Sequence, residues 1–437
     1  MTAVETAPAP AARPDQESPV PTAIVPTPQQ SAWQRDRLGV FFHFGMNTFH
    51  GVEWSDGTLP ASSFDPSDLD ADQWVATAKE LGARYVVLTA KHHDGFCLWP
   101  TATTDYSVRS SPWRDGRGDV VREVSDACAR HGVKFGFYLS PWDRNAPAYA
   151  DEAAYDDFYA QQLRELCTGY GRVDEIWFDG AGSEGHRYDW ARISSVIHEL
   201  QPQAMVFNMG APTIRWVGNE DGLAADPVEY VVRKTEFSNY TVETVELTDA
   251  LYLPPECDVS LRRGWFWHPE DAPKTLDHLL AIYYRSVGLG ANLLLNLPPD
   301  STGRLPQEDV RRLRELRTEL DRRFAAPLPA GVREVAPGVW ELDFGSAVTF
   351  DHLWLTEELA GGQRVTAHEL CDATGTPFAS GFTVGSQRVQ IFEPVTTRTV
   401  TVRVTGEGAV LTGATAFLAG VTSVPEIAYL ATTDAPL

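Results

Sequence analysis

Glu175-Ile176-Trp177-Phe178-Asp179-Gly180 sets an acid at the mouth of an apolar strand. Ile176 and the aromatic residues favour extended backbone, and Gly180 lets the chain turn sharply away. Nothing in that junction calls for a carboxylate, which is costly to desolvate beside apolar neighbours. The same grammar recurs outward from it. The apolar runs 39–45, 85–90, 135–139, 205–207 and 292–296 read as buried strands. Polar residues sit at or just past their ends: His43, His92 and His93, Tyr138, Asp179 and Asn208.

Helical patterns separate these strands. Asp70 can cap a helix with Trp74, Ala78 and Leu81 on one face and Gly82 as its stop. Asp119 can cap another, with Val120, Val121, Val124 and Cys128 at helical spacing and Gly132 at its end. Further helices are expected over 151–168, 188–200, 273–288 and 306–323, and a long loop over 211–260. Alternating helices and doubly apolar strands predict a parallel sheet covered by helices. Six clear strands are legible, fewer than the eight of a full barrel. Polar residues gathered at successive strand ends still favour a TIM-type (β/α)8-like barrel, irregular or with strands hidden in the loop region. An open doubly wound sheet would call for a Gly-rich phosphate turn, and none is present.

Two other segments flank the barrel. Residues 1–28 are rich in Pro and Ala and are expected to be mobile, with ordered structure beginning near Trp33 and the catalytic domain spanning 29–327. From 328 to 437 the pattern changes to short alternating strands, expected at 339–344, 348–355, 363–371 and 388–392. Val400, Val402 and Val404 face one way there, and Thr401, Arg403 and Thr405 the other. This predicts a C-terminal antiparallel β-sandwich that packs on the barrel.

Composition narrows the partners. A formal charge of −24 disfavours nucleic acid and anionic membranes and suits a neutral ligand. No stretch approaches the ~20 apolar residues that span a bilayer. No signal-peptide pattern is recognisable at the N-terminus, so a cytoplasmic location is expected. Five scattered cysteines, none in CxxC spacing, give no disulfide framework and no structural zinc site.

The strand-end residues define the candidate chemistry. Neutral imidazoles from His43, His92 and His93, with Lys91, can line a polar pocket floor and bind hydroxyls. A metal site is the weaker reading, because barrel metal hydrolases usually present two histidines two apart on the first strand. Here that strand reads Phe42-His43-Phe44. Glu53-Trp54 pairs a flat apolar face with an acceptor, a common way to hold a sugar. In Gly264-Trp265-Phe266-Trp267-His268, one ring is expected in the core and another over the site. Asp179 needs a second acid for sugar cleavage. Glu184, Glu220, Glu229 and Glu256 are candidates that spacing does not separate. Glu220 lies among aromatics beyond the fifth strand, where burial would raise its pKa as a proton donor requires.

Several motifs together resemble the α-L-fucosidases of glycoside hydrolase family 29. They are His43-Phe44-Gly45, Glu53-Trp54, Ala90-Lys91-His92-His93-Asp94-Gly95-Phe96, Tyr138-Leu139-Ser140-Pro141-Trp142 and Trp177-Phe178-Asp179-Gly180. Ser286-Val287-Gly288 and Leu294-Leu295-Asn296 also fit. The resemblance implies Asp179 as nucleophile and His43, Glu53, Trp54, His92, His93 and Tyr138 as fucose ligands, with Trp177 beside the nucleophile. Trp267 is expected against the sugar's methyl group. Trp216-Val217-Gly218-Asn219-Glu220 resembles the branch acting on α-1,3/1,4-linked, Lewis-type fucose and points to Glu220 as acid/base. The implied reaction is a retaining double displacement on a fucosylated glycan that needs neither metal nor organic cofactor. The alternatives are a catalytically inactive fucose-binding protein on the same fold and a metal-dependent barrel hydrolase.

Overall fold

The computed structural model describes residues 23–236 and 244–426, so most of the segment expected to be mobile lies outside the described residues. Helix α1 (Pro28–Asp36) starts ahead of Trp33 because Thr27 and Gln30 form a capping box and Pro28 fits the first turn. Eight parallel strands follow: β1 (Leu38–Phe42), β2 (Tyr85–Lys91), β3 (Lys134–Leu139), β4 (Glu175–Trp177), β5 (Met205–Phe207), β6 (Arg215–Trp216), β9 (Pro255–Ser260) and β10 (Asn292–Asn296). Strands β7 (Val231–Glu236) and β8 (Thr244–Tyr252) form a separate antiparallel hairpin. The large sheet runs β5-β4-β3-β2-β1-β10-β9-β6. A parallel bridge between Phe207 and Ile214 joins its two edges, closing the barrel.

Four strands fall inside the loop expected over 211–260, and of these β6 and β9 belong to the barrel. β6 is only two residues long. β9 begins with Pro255 and carries Glu256, Asp258 and Ser260 on its inward face, while Cys257 and Val259 join the outer core. Neither presents the apolar run that marks a buried strand.

A short helix, α2 (Met46–His50), follows β1, and helices α3 (Ala71–Leu81), α4 (Val120–His131), α5 (Glu152–Gly169), α6 (Trp190–Leu200), α7 (Leu276–Arg285) and α8 (Gln307–Phe324) cover the barrel. Asp70 and Asp119 cap as expected, and Gly82 and Gly132 end their helices in the left-handed conformation. Strand parity sorts side chains into two cores. Phe42, Val86, Leu88 and Phe137 face the helices; Phe41, Tyr85, Val87, Tyr138 and Trp177 fill the barrel. The five cysteines are buried and unpaired.

The C-terminal strands are β11 (Leu328–Pro329), β12 (Gly331–Ala336), β13 (Val339–Glu357), β14 (Ala367–Cys371), β15 (Pro377–Gly381), β16 (Arg388–Thr405) and β17 (Leu411–Phe417). The runs expected at 339–344 and 348–355 are one strand whose register breaks between Asp343 and Val348. β16 likewise joins 388–392 to 400–405. These bends let one antiparallel array fold over a shared core of Trp340, Leu342, Phe350, Val400 and Val402.

Candidate active site

The C-terminal ends of the barrel strands open into a concave pocket lined by aromatic rings and a few polar side chains, the make-up of a small-molecule site. Asp179, just past β4, sits on its wall with both oxygens held. The Ala181 backbone N–H donates to Oδ1 at 2.9 Å and the Tyr138 hydroxyl to Oδ2 at 3.0 Å. Burial and the Asp179 charge push the Tyr138 phenol up, so it stays a donor.

Three neutral imidazoles form the opposite side. Burial lowers His43 to about 3 and His93 to about 4, and drives His92 well below its ordinary value. Hydrogen bonding assigns two tautomers. Asn296 uses its amide N–H₂ on Trp265 O and Ser260 Oγ, so its Oδ1, 2.9 Å from His43 Nδ1, must accept. Ser140 Oγ donates to Trp142 O and therefore accepts from His93 Nδ1 at 2.7 Å. Both rings keep Nε2 as an acceptor, and His93 Nε2 lies 3.6 Å from Asp179 Oδ2. A hydroxyl entering there meets acceptors fixed in direction.

Aromatic faces surround these polar atoms. Trp54 lines the pocket and meets His93 and Trp142 edge-on. Trp177 lines it while stacked on Phe207, with ring centroids 3.5 Å apart. The ring over the site is Trp265, not Trp267: Trp265 lines the pocket and packs 5.0 Å from His43. Phe266, fully buried, meets His92 edge-on, and Trp267 is absent from the lining. The turn at 261–266 breaks the alternation from which parity would be read.

Two further expectations change. Glu53 is not in the lining; its Oε2 accepts from the Trp265 and Phe266 N–H groups at 2.9 and 3.3 Å. It clamps the loop that carries Trp265. Lys91 faces the helix layer instead of the pocket floor. Its ammonium is fully buried, paired with Asp143 at 2.8 Å and bonded to Tyr155.

Glu220 lies in the lining, beyond β6. Asn219 shapes its loop, accepting from Asp221 N and Leu223 N and donating to Leu223 O. A bridge from Asp221 to Val259 ties the loop to β9. Of the other acids weighed from sequence, Glu184 and Glu229 are exposed, and Glu256 is buried inside the barrel below the pocket. The structure adds Asp258, which sequence reasoning missed. Its Oδ1 accepts from the Trp216 indole N–H at 2.7 Å, and burial holds its carboxyl well above the usual range. Only recognition of β9 as a strand would have turned it inward.

The sequence matches the family model described as Alpha-L-fucosidase over residues 50–322. It is 38% identical over 419 residues to Alpha-L-fucosidase 1 of Arabidopsis thaliana, covering 86% of this chain and 83% of that one. Its fold is similar to the crystal structure of SpGH29, with a TM-score of 0.83, 34% identity, and coverage of 91% of this chain and 98% of that one. It is also similar to a Ruminococcus gnavus GH29 fucosidase in complex with fucose, with a TM-score of 0.78, 27% identity, and coverage of 92% and 96%.

Proposed function

This chain belongs to the α-L-fucosidase family of glycoside hydrolases, and from that premise we propose a retaining exo-fucosidase acting on α-1,3/1,4-linked, Lewis-type fucose. Asp179 attacks the anomeric carbon as Glu220 protonates the departing oxygen. Glu220 then takes a proton from water, which displaces Asp179 and releases fucose with its original configuration. The observation that carries this reading is a single pocket holding a carboxylate pinned by Tyr138 and Ala181 together with a second acid on a tied loop. Pinning removes the rotamer freedom that a nucleophile would otherwise lose on reaching the transition state.

His43 and His93 offer acceptors to the sugar hydroxyls, and Trp54, Trp177 and Trp265 supply apolar faces. Glu53 acts one layer back, by holding Trp265. The linkage preference is supported by the likeness of Trp216-Val217-Gly218-Asn219-Glu220 to the α-1,3/1,4 branch.

Asp179→Asn should lower kcat on an aryl fucoside by about 10⁴-fold, the scale of losing one member of a covalent catalytic unit. Activity within about tenfold of wild type, one decade of rate, would remove Asp179 from the mechanism. Product NMR at early times should show α-fucose; β-fucose would rule out retention. A panel of α-1,2, α-1,3, α-1,4 and α-1,6 fucosides tests the linkage, with preferred release from the 1,3 and 1,4 members expected.

A further inference from the structure

Below the pocket lies a layer of acid that the double displacement does not use. Glu175 on β4 and Glu256 on β9 are buried inside the barrel, close enough together that one donor, the Trp177 indole N–H, lies within hydrogen-bond distance of both carboxyls. The surrounding donors are neutral. Trp33 Nε1 donates to Glu175 Oε2 at 2.7 Å, and the Tyr85 hydroxyl donates to Glu256 Oε1 at 2.5 Å. Trp177 Nε1 is forked between Glu175 Oε1 at 3.1 Å and Glu256 Oε2 at 2.8 Å.

Two buried carboxyls that share one N–H donor, while the nearby Lys134 and Arg172 pair with Asp36 and Asp174, favour a proton on one of them. Two adjacent negative charges without a cation would be strongly disfavoured in this interior. Trp177 is thus anchored from behind by its N–H while its ring lines the pocket above.

We propose that Glu175 and Glu256 are positioning residues of the sugar site, a carboxyl pair that shares one proton and holds the Trp177 indole in place as a pocket wall. The proposal rests on the reading of Trp177 as a sugar-facing wall. Burial raises both acids, and for Glu175 the neighbouring Glu256 charge adds to it. The groups facing the pair are Tyr85 from β2, Asp258 from β9 and Asn292 from β10. Asp36, Lys134, Arg172 and Asp174 surround the cavity beneath Glu175. Loss of the shared proton at alkaline pH places a second charge beneath Trp177 and loosens the wall.

Two measurements test this. Infrared spectra of wild type should contain a carboxylic-acid band at neutral pH that Glu175→Gln and Glu256→Gln each remove. A spectrum unchanged by both substitutions overturns the pair, whether or not the protein binds sugar. The inhibition constant of L-fucose should rise about tenfold for wild type across the pair's titration, the effect of roughly one pKa unit of coupling. Glu175→Gln, with one ionisable carboxyl left, should stay flat. An equal alkaline rise in both proteins overturns the positioning role. Trp177→Phe, which lacks the forked donor, should weaken fucose inhibition, and Glu256→Gln should add nothing further in that background; additive losses would separate the pair from Trp177. Wild type that fails to bind L-fucose would instead overturn the reading of the site, while the infrared result still judges the pair.

Discussion

Asp179 and the imidazoles facing it form a site whose charge state is set by burial. His43 is lowered to about 3 and His93 to about 4, so both rings are neutral above those values and acquire charge only as pH falls through them. Their Nε2 lone pairs therefore stay available to sugar hydroxyls through the mildly acidic range. L-Fucose inhibition should be flat from about pH 7 down to about pH 5.5, whereas an ordinary histidine, with its pKa near 6.5, would lose most of its acceptor population on the way. A half-loss centred near pH 6.5 would show that these rings are solvated and ionisable. The strand-end histidines, Asp179 and Tyr138 were legible in sequence because each follows an apolar run. The choice of Trp265 over Trp267 and the inward turn of Asp258 were not, because both depend on how a turn or a polar strand seats in the closed barrel.

The turn after β4 shows how close packing constrains the nucleophile's loop. Gly182 has φ +70°, and a Cβ there would lie 1.9 Å from Trp142 Cε3. Gly182→Ala must therefore move either Trp142, which packs on Trp54 and His93, or the turn that carries Asp179. The expected loss is about 10²-fold in kcat/KM, the scale of an ångström's misplacement in a catalytic group. Gly185 serves as the control: its φ is +75°, but a Cβ there meets nothing within 4 Å. Gly185→Ala carries the backbone strain alone and should cost stability with little loss of rate. Equal rate losses in the two variants would discard close approach to Trp142 as the cause. Capped helices such as α3 and α4 were legible because their start and stop signals are local. Strands β6 and β9 were not, since their evidence is barrel closure, which no short window of sequence contains.

Across the whole molecule, the sandwich grips the chain just beyond the loop that carries Glu220. Arg388 makes two hydrogen bonds to Asp226, at 2.7 and 2.8 Å. Gln363 accepts from Tyr230 N and donates to Val228 O, both at 2.9 Å. The Tyr230 hydroxyl reaches Gly290 O at 2.8 Å and receives Ser386 N at 3.0 Å. With the Asp221–Val259 bridge at its other end, the Glu220 loop is tied to both the barrel and the sandwich. The alternating valines announced a sandwich, but this grip pairs residues over 130 positions apart and leaves no trace in sequence. Gln363→Ala strands the Tyr230 N–H and the Val228 carbonyl, which should cost about 1–3 kcal/mol in chemical denaturation. The looser loop should impair proton donation most. Hydrolysis of natural oligosaccharides, whose leaving groups need that proton, should therefore fall more than hydrolysis of an activated aryl fucoside. A drop in stability with equal effects on both substrates would leave the sandwich as support for the fold alone, without a part in holding the acid.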